Sequence, residues 1–534
     1  MKFKVLISAI APWATFLSWG SINPVTAQQV SLGERGINAE RLHSAPYFLT
    51  GKKIAIGQLE IGRAAKFGFD KLARWKPKFS LAGILIGDRA AHPNKNLDNH
   101  AAMVASVMVG RDKRLPGVAP DARLFAAAIG SLQQNAQPEE CLTTQALTQQ
   151  NGGDLRAINF SFGESLSRDP RFKAKLDGNA LLTQCIDWLA RTQNVLFVIA
   201  GNQGEGGIPI PTDHYNGVTV AYTTQHNQQF RKVDFANLSS IPQGMGRKII
   251  KQEINENNRR GISLVAPGNK ISTYNINGKM TQVSGTSFAA PHVTGTVALL
   301  QEFGDRQLRT KAAHWSLDSR RHEVMKAVLL NSADKLQDQG DGNLLGMSRT
   351  LLTKQNKDWL DSEAYANPDI PLDMEMGAGQ LNAFRAYEQF KAGQWKAAQT
   401  VPPVGWDYHA LVPQGVQEYV LEKPLQAGSY AAITLTWDRW VELNDKNANQ
   451  RYDLGESFRD RGLNNLDIYL LPHNETQISK AICASRSRVD SVEQIFCPIP
   501  QTGHYKIRVQ YREARYPVNQ TYALSWWTVA AKAP

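Results

Sequence analysis

Three side chains with the chemistry of acyl transfer are placed where predicted elements begin or end, and the first is a serine. Ser287, in the segment GTSFAAPHVTG, precedes a helix pattern with Val293, Val297 and Leu300 on one face, and Gly304 predicts the end of that helix. At a helix N-terminus, unpaired N–H groups and the positive end of the helix dipole favour an oxyanion. An N-cap serine without a catalytic role fits the same position. The segment alone leaves both interpretations open.

A serine nucleophile needs a base and an oxyanion donor, and two other segments offer them. His100, in NLDNHAAMVASVMVG, begins a second apolar helix pattern. A single histidine at such a place is more often structural than catalytic. Asn202 ends the apolar run NVLFVIAGN, where its amide could donate to a developing oxyanion, although by itself it is a turn residue.

The stretch between about residues 50 and 300 predicts the elements that would bring these side chains together. Short apolar runs alternate with helical patterns, which indicates an α/β fold with a parallel sheet flanked by helices. The predicted strands are KIAIGQLE, RLFAAAIG, RAINFSFG, NVLFVIAGN, GVTVAY and ISLVAPG. In open parallel sheets, sites form beyond the carboxyl ends of the strands, and several of these runs end in glycine or asparagine.

Taken together, these segments resemble the subtilisin-like (S8) serine proteases. GTSFAAPHVTG agrees with the family's nucleophile motif, Gly-Thr-Ser-x-Ala-x-Pro-His-Val-x-Gly, at every fixed place. AGNQG resembles the oxyanion segment, and INFSFG, which contains Ser161, Phe162 and Gly163, resembles the strand that pairs with the substrate. The motifs occur in the family's order over roughly residues 45 to 390.

The resemblance implies a serine endopeptidase that acts on polypeptides and needs no cofactor for its chemistry. Ser287 is then the nucleophile, His100 the general base and Asn202 a donor of the oxyanion hole. An esterase of the α/β-hydrolase type is disfavoured, because no GxSxG segment is present and the catalytic segments occur in a different order.

The third member of the catalytic triad departs from the family pattern. The family ends its first core strand with an aspartate, whereas IAIGQLEIG aligns Glu60 with that residue and Gly62 with the glycine after it. A glutamate can still accept a hydrogen bond from the imidazole and hold its tautomer. Asp98 is the competing candidate, but it is only two residues from His100, and we expect it to point elsewhere.

A second departure surrounds the histidine. The family usually shows His-Gly-Thr-x-Val-Ala-Gly, whereas this chain reads HAAMVAS, with Ala101 and Ser106 in place of glycines. A glycine allows close approach of a substrate or a neighbouring helix. The alternative function is therefore a catalytically impaired protein that keeps the subtilisin fold and binds peptides.

The pattern changes after about residue 400. The segments QEYVLEKP, SYAAITLTWD, LDIYLLP and HYKIRVQY alternate with period two, which predicts an antiparallel β-sandwich. This region is similar to the bacterial pre-peptidase C-terminal modules that follow many secreted peptidases, although its motifs are short.

One loop of this region has the ligand spacing of an EF-hand-type calcium site. In DKNANQRYDLGE the candidate ligands are Asp445, Asn447, Asn449, Arg451 (through its carbonyl), Asp453 and Glu456. Gln450 stands where such a loop normally has glycine. A polar hairpin loop without a metal is the alternative.

The 534 residues predict three parts: a signal peptide over residues 1–27, a peptidase domain over 28–395 and a β-sandwich domain over 405–534. The first residues place two lysines before an apolar stretch that ends in VTA, the layout of a secretion signal, with an uncleaved anchor as the alternative. A secreted or periplasmic protein without a later membrane span is expected.

The cysteines and the charge complete the prediction. Four cysteines in an oxidising compartment favour two disulfides, and of the three pairings, proximity along the chain favours Cys141 with Cys185 and Cys483 with Cys497. The net charge of +12 is scattered along the chain without basic blocks. No nucleic-acid partner is predicted.

Overall fold

The computed structural model describes residues 31–63, 81–90, 99–130, 136–201, 210–226, 229–233, 255–275 and 278–532. The predicted signal peptide, Asn202 and Asp98 lie outside these residues. The strands are β1 (Ala55–Arg63), β2 (Leu81–Ile86), β3 (Arg89–Ala90), β4 (Arg111–Asp112), β5 (Leu115–Pro116), β6 (Arg123–Gly130), β7 (Ala157–Phe160), β8 (Leu196–Ala200), β9 (Val218–His226), β10 (Gln229–Lys232), β11 (Leu264–Pro267), β12 (Ile271–Tyr274), β13 (Met280–Val283), β14 (Leu351–Leu352), β15 (Val404–Leu411), β16 (Val416–Val420), β17 (Tyr430–Trp437), β18 (Trp440–Asn444), β19 (Ser457–Gly462), β20 (Asn465–Pro472), β21 (Cys483–Ser485), β22 (Val492–Pro498), β23 (Tyr505–Glu513) and β24 (Gln520–Trp527). The α-helices used below are α1 (Glu40–His43), α2 (Asn99–Val109), α3 (Gln137–Thr148), α4 (Gln150–Gly153), α5 (Leu181–Gln193), α6 (Thr286–Arg309), α7 (His322–Asn331), α8 (Glu363–Ala366) and α9 (Ala383–Lys391).

One large sheet forms the frame of the first part of the chain. Its strand order is β14-β10-β9-β8-β7-β1-β6-β2-β3, with β11 paired to β9. The pairings from β9 through β2 are parallel, and β10 and β3 add antiparallel strands. Strands β7 and β8 are buried along their whole length, as expected where helices cover both faces. The predicted α/β fold is confirmed.

Two apolar cores lie on opposite faces of this sheet. Helices α2, α6 and α7 contribute to one core, and α3 and α5 contribute to the other. Neighbouring residues of β1 divide between the two, Ile56 in the first and Ala55 in the second, because side chains alternate along a strand. The same alternation decides which face each later residue of β1 presents.

Helix α6 continues beyond its predicted end. The sequence predicts an end at Gly304, but the helix runs to Arg309. A Cβ at Gly304 would lie 3.2 Å from Cε1 of Phe390, so the glycine allows α9 to approach closely. The prediction was wrong because a glycine inside a helix can serve packing rather than termination.

The C-terminal region forms the predicted all-β sandwich. Two four-stranded antiparallel sheets have the orders β15-β24-β17-β22 and β16-β23-β20-β21, and β18 and β19 form a separate hairpin. Trp437, Tyr522 and Trp526 are buried between the sheets. The predicted fold of this region is confirmed.

The sandwich packs directly against the first part of the chain. Trp406 of β15, Val492 of β22 and Ala523 of β24 belong to the same apolar core as α7. The indole N–H of Trp406 donates to the carbonyl of Phe390 at 2.9 Å, which fastens β15 to the end of α9. The two parts therefore share a hydrophobic core.

Both disulfides have the favoured pairing. Cys141 of α3 is bonded to Cys185 of α5, and Cys483 of β21 is bonded to Cys497 of β22. The first bond joins the two helices that cover one face of the large sheet. In the part of the chain that the structure describes, no helix has both the length and the apolar character to cross a bilayer.

Candidate active site

Glu60 and His100 are in direct contact near the carboxyl end of the central strand β1. Glu60 lies on β1 and is 4% exposed, and His100 lies in the first turn of α2. The Nδ1–H of His100 donates to Oε2 of Glu60 at 2.9 Å. An imidazole that donates through Nδ1 carries its basic lone pair on Nε2. The pair therefore has the tautomer that a general base requires.

Gln58 holds the other side of this carboxylate. Its Nε2 donates to Oε1 of Glu60 at 3.0 Å and to the carbonyl of Ala101 at 3.0 Å. Gln58 is fully buried. It therefore links β1 to the first turn of α2 and orients the carboxylate toward His100. Sequence reasoning missed Gln58, although residues two apart on a strand share a face and could have pointed to it.

Ser287 is the second residue of α6, and the residue after it packs near the histidine ring. Ser287 is 6% exposed, and the ring of Phe288, the next residue, is 5.6 Å from the His100 ring. The Ser287 hydroxyl donates to the carbonyl of Ser161 at 3.3 Å. The tertiary structure thus brings the predicted nucleophile and the predicted base to one edge of the sheet.

Pro291 explains a second bond between Ser287 and the predicted substrate strand. Proline has no N–H, so it cannot donate to the carbonyl four residues earlier, which belongs to Ser287. The Ser161 hydroxyl donates to that carbonyl at 3.1 Å instead. Ser161 and Ser287 are therefore held together by two hydrogen bonds, one in each direction.

The segment Ser161–Gly163 continues from the buried strand β7. The Phe162 ring stacks on Phe160 at 4.9 Å between centroids, which fixes the chain just beyond the strand. Glu164, the next residue, pairs through its backbone with Ile210, with N to O distances of 2.7 and 3.1 Å. The strand predicted to bind substrate is thus fixed on both sides.

The predicted oxyanion donor Asn202 is outside the described residues, but its predecessor is not. Thr286 Oγ1, at the start of α6, donates to the carbonyl of Gly201 at 2.7 Å. The N–H of Gly201 donates to the carbonyl of Val220 at 2.8 Å. The residue before Asn202 is therefore fastened to the residue before Ser287.

The histidine within the serine motif has a structural place. His292 is fully buried, its Nδ1–H donates to the Phe288 carbonyl at 2.7 Å, and its Nε2 lies 3.0 Å from the Ser31 hydroxyl. Burial lowers the pKa of His292 to about 4, so the ring is neutral at neutral pH. His292 supports α6 from inside.

Ala101 and Ser106, which stand where the family usually has glycine, are both buried on α2. Ala101 is fully buried in the first apolar core. Ser106 donates through its hydroxyl to the carbonyl of Ala102 at 2.8 Å, one turn earlier in the helix. The hydroxyl of Ser106 is therefore satisfied within the helix.

The candidate calcium loop has the backbone of a sharp turn at the expected place. Gln450 has φ of 60°, the left-handed conformation for which such loops normally use glycine. Both Glu456 oxygens accept backbone N–H groups, from Lys446 at 2.8 Å and from Asp453 at 3.0 Å. Tyr452 is fully buried and anchors the loop. The donor set consists of oxygen atoms, which suits a hard cation.

The site has the features of a serine-type peptide hydrolase: a parallel sheet, an oriented imidazole and a serine at a helix N-terminus. Comparison with known proteins gives the family. Residues 87–348 match the subtilase family, peptidase S8. Thermitase of Thermoactinomyces vulgaris is 22% identical over 267 residues, which are 49% of this chain and 77% of thermitase. Subtilisin Savinase of Lederbergia lenta is 24% identical over 279 residues, 52% of this chain and 86% of that protein.

Among solved structures, the patellamide maturation protease PatA is 21% identical with a TM-score of 0.40, over 64% of this chain and 98% of that chain. The prenylagaramide maturation protease PagA has a TM-score of 0.39 at 21% identity, over 64% of this chain and 95% of that chain. The family match and the curated relatives identify residues 87–348 as a subtilisin-like serine protease region of the S8 family.

Proposed function

We propose that the protein is an exported endopeptidase that hydrolyses peptide bonds through an acyl-enzyme, with Ser287, His100 and Glu60 as its triad. The observation that carries the assignment is the 2.9 Å hydrogen bond between His100 Nδ1 and Glu60 Oε2, next to the start of the Ser287 helix. Export is supported by the signal-like first residues and by two disulfides.

In this mechanism the Ser287 hydroxyl attacks the carbonyl carbon of the scissile bond. The Nε2 atom of His100 takes the hydroxyl proton and returns it to the leaving amine. Glu60 holds the ring in the tautomer that does this and stabilises the imidazolium that forms. The N–H of Ser287 and the amide of Asn202 stabilise the negative oxygen of the tetrahedral intermediate. Water then hydrolyses the acyl-enzyme by the same steps.

The substrate is a polypeptide that pairs its main chain with Ser161–Gly163. Main-chain pairing holds a peptide without regard to its side chains, as in other cases where a peptide adds a strand. The two hydrogen bonds between Ser161 and Ser287 place that strand beside the nucleophile. A peptide bound there has its backbone beside the Ser287 hydroxyl.

A structural calcium ion in the loop of residues 445–456 is a further part of the proposal. The ligands would be the oxygen-bearing groups of Asp445, Asn447, Asn449, Arg451 (carbonyl), Asp453 and Glu456. The left-handed Gln450 supports this, because it supplies the turn that the ligand spacing needs. The ion would stabilise the loop and takes no part in peptide hydrolysis.

Covalent labelling tests the proposed nucleophile. A serine-directed phosphonate should label the purified protein and abolish casein cleavage, and Ser287→Ala should lose labelling and lower kcat by about 10⁶-fold. Ser44→Ala, at an exposed position on the surface, is the control and should behave as wild type. Well-folded wild-type protein that binds casein without labelling or cleavage would instead establish the peptide-binding alternative.

A further inference from the structure

Two glutamates meet behind the proposed substrate strand. Glu164 directly follows Gly163, and Glu140 lies on α3 next to the disulfide-bonded Cys141. Each glutamate is 1% exposed. The carboxyl group of Glu140 lies close enough to that of Glu164 for a proton on one to donate to the other. We call these two residues the carboxyl pair.

The carboxyl pair has almost no other partners. Within the described residues, none of its four oxygens accepts a hydrogen bond from a donor group of another residue. Among the residues that the structure describes, the cation paired with it is Arg168, whose Nη1 is 3.7 Å from Oε2 of Glu164. Two buried carboxylates in contact repel each other, and one arginine at that distance compensates one charge. One proton shared between them removes the repulsion.

The titration of Glu140 supports a shared proton. Burial and then the negative charge of Glu164 raise the pKa of Glu140 well above its ordinary value. Glu139, on the same helix, raises it further, and Arg168 lowers it. A carboxyl with a raised pKa keeps its proton at low pH and loses it as the pH rises through that raised value.

A change in protonation of the carboxyl pair would reach the substrate strand through the position of Glu164. Its backbone forms both hydrogen bonds with Ile210, so its position sets that of Gly163 immediately before it. On the other side, α3 is tied to α5 by the Cys141–Cys185 disulfide and cannot yield easily. Repulsion within the pair would therefore displace the strand end rather than the helix.

We propose that the proton shared by Glu140 and Glu164 holds the substrate-pairing strand in its binding position, which makes Glu140 a positioning residue for peptide binding. This rests on the proposed function, because it assigns Ser161–Gly163 to substrate. Loss of the proton as the pH rises through the raised pKa of Glu140 weakens peptide binding, while the triad itself is unchanged. KM therefore rises with pH and kcat changes little through the same step.

Glu140→Gln provides the test, because its amide donates to the Glu164 carboxylate at every pH. In wild type we expect KM for a peptide substrate to rise by about tenfold as the pair loses its proton, the loss of one hydrogen bond to a charged group. In Glu140→Gln, KM should stay flat over that range. Glu139→Gln, a change of the exposed neighbour, should keep the rise in KM but move it to lower pH, because the charge of Glu139 raises the pKa of Glu140. Parallel KM profiles for wild type and Glu140→Gln would overturn the proposal.

An infrared measurement separates this proposal from the catalytic one. At a pH below the rise in KM, the wild-type-minus-variant difference spectrum should contain the C=O band of a protonated carboxyl for both Glu140→Gln and Glu164→Gln. The band does not depend on turnover, so it is expected even if the protein proves to be an inactive peptide-binding protein. In that case the pH dependence is read from the Kd of a fluorescent peptide. Absence of the band in both comparisons would reject the shared proton.

Discussion

At the scale of single residues, Glu60, which we propose takes the place of the family's aspartate, is held by a second donor. The Glu60 carboxylate uses Oε2 for His100 and Oε1 for Gln58. The extra methylene needs such support, because a longer side chain has one more rotatable bond to restrain. Gln58 supplies that restraint from the same face of β1.

The role of Glu60 can be measured with Glu60→Gln. Glutamine offers an N–H where the imidazole needs an acceptor, so the ring loses its tautomer and kcat should fall by about 10²- to 10⁴-fold. KM should change little, because Glu60 does not touch the substrate in the proposed complex. Steady-state kinetics on a chromogenic peptide give both values.

Glu422→Gln, an exposed position in the β-sandwich, is the matched control and should retain the wild-type kcat. A wild-type kcat in Glu60→Gln would remove Glu60 from the triad. Asp98 would then be the next candidate to substitute.

At the scale of elements, the loop between β18 and β19 joins the C-terminal region to helix α3. Gln145 of α3 forms two hydrogen bonds with the backbone of Tyr452, at 3.1 and 2.6 Å. The Tyr452 ring stacks on Phe458 with centroids 5.4 Å apart, and Phe458 packs against Trp188 of α5. The loop between β18 and β19 therefore supports α3, the helix that carries Glu140.

Calcium should stabilise the protein through this loop. A ligand at 100 times its Kd adds about 2.7 kcal/mol to the free energy of unfolding, which raises Tm by several degrees. Asp445→Asn removes a ligand charge and should abolish most of the shift. Scanning calorimetry with and without calcium, after chelator treatment, measures the effect.

Glu422→Gln again serves as the control and should show the full shift with calcium. An unchanged wild-type Tm together with no heat of calcium binding would show that the loop is a polar hairpin.

At the scale of the whole molecule, buried charges join the β-sandwich to the peptidase part. Arg439, at the corner between β17 and β18, forms an ion pair with the fully buried Asp187 of α5 at 3.0 Å and donates to the Gly178 carbonyl at 2.7 Å. Asp187 also accepts the N–H groups of Tyr215 and Asn216, which lead into β9. Arg439, from the β-sandwich, therefore pairs with a charge that is buried inside the peptidase part.

A buried histidine adds a pH-dependent contact to the same interface. His322 lies 3.1 Å from carboxylate oxygens of both Asp438 and Glu323 and 3.2 Å from Oδ1 of Asn194. Burial alone would lower its pKa, but Asp438 and Glu323 outweigh burial, and the pKa is raised. The contribution of His322 to the stability of the fold is fully present below the ordinary histidine pKa. It is lost as the pH rises through the raised pKa of His322. Lys326, whose pKa burial lowers to about 8, faces the same cluster.

Arg439→Met should test the joint between the two parts. Removing one partner leaves Asp187 buried without its cation, which costs about 3–5 kcal/mol in the free energy of unfolding. Urea denaturation followed by tryptophan fluorescence measures this. Arg459→Met, an exposed position on β19, should change the value by less than about 0.5 kcal/mol. Equal stability of the two variants would show that the Arg439–Asp187 pair does not join the parts.

The amino-acid sequence by itself determined the elements and the candidate nucleophile and base. Apolar runs predicted β1, β6, β7, β8, β9 and β11, because a strand that is buried on both faces consists of nearly continuous apolar residues. It also favoured the correct disulfides, because short separation along the chain made those pairings probable. The end of α6 at Gly304 was wrong because the reason for that glycine, Phe390, is distant in the sequence.

Only the tertiary structure decided which distant groups meet. The contact of Glu60 with His100, the support from Gln58, the carboxyl pair and the place of Arg439 against Asp187 all join side chains on different elements or on alternate strand positions. Periodicity records whether a residue is buried but not against what. The partner of a buried charge is set by how sheets and helices stack, so it becomes visible only once the chain is folded.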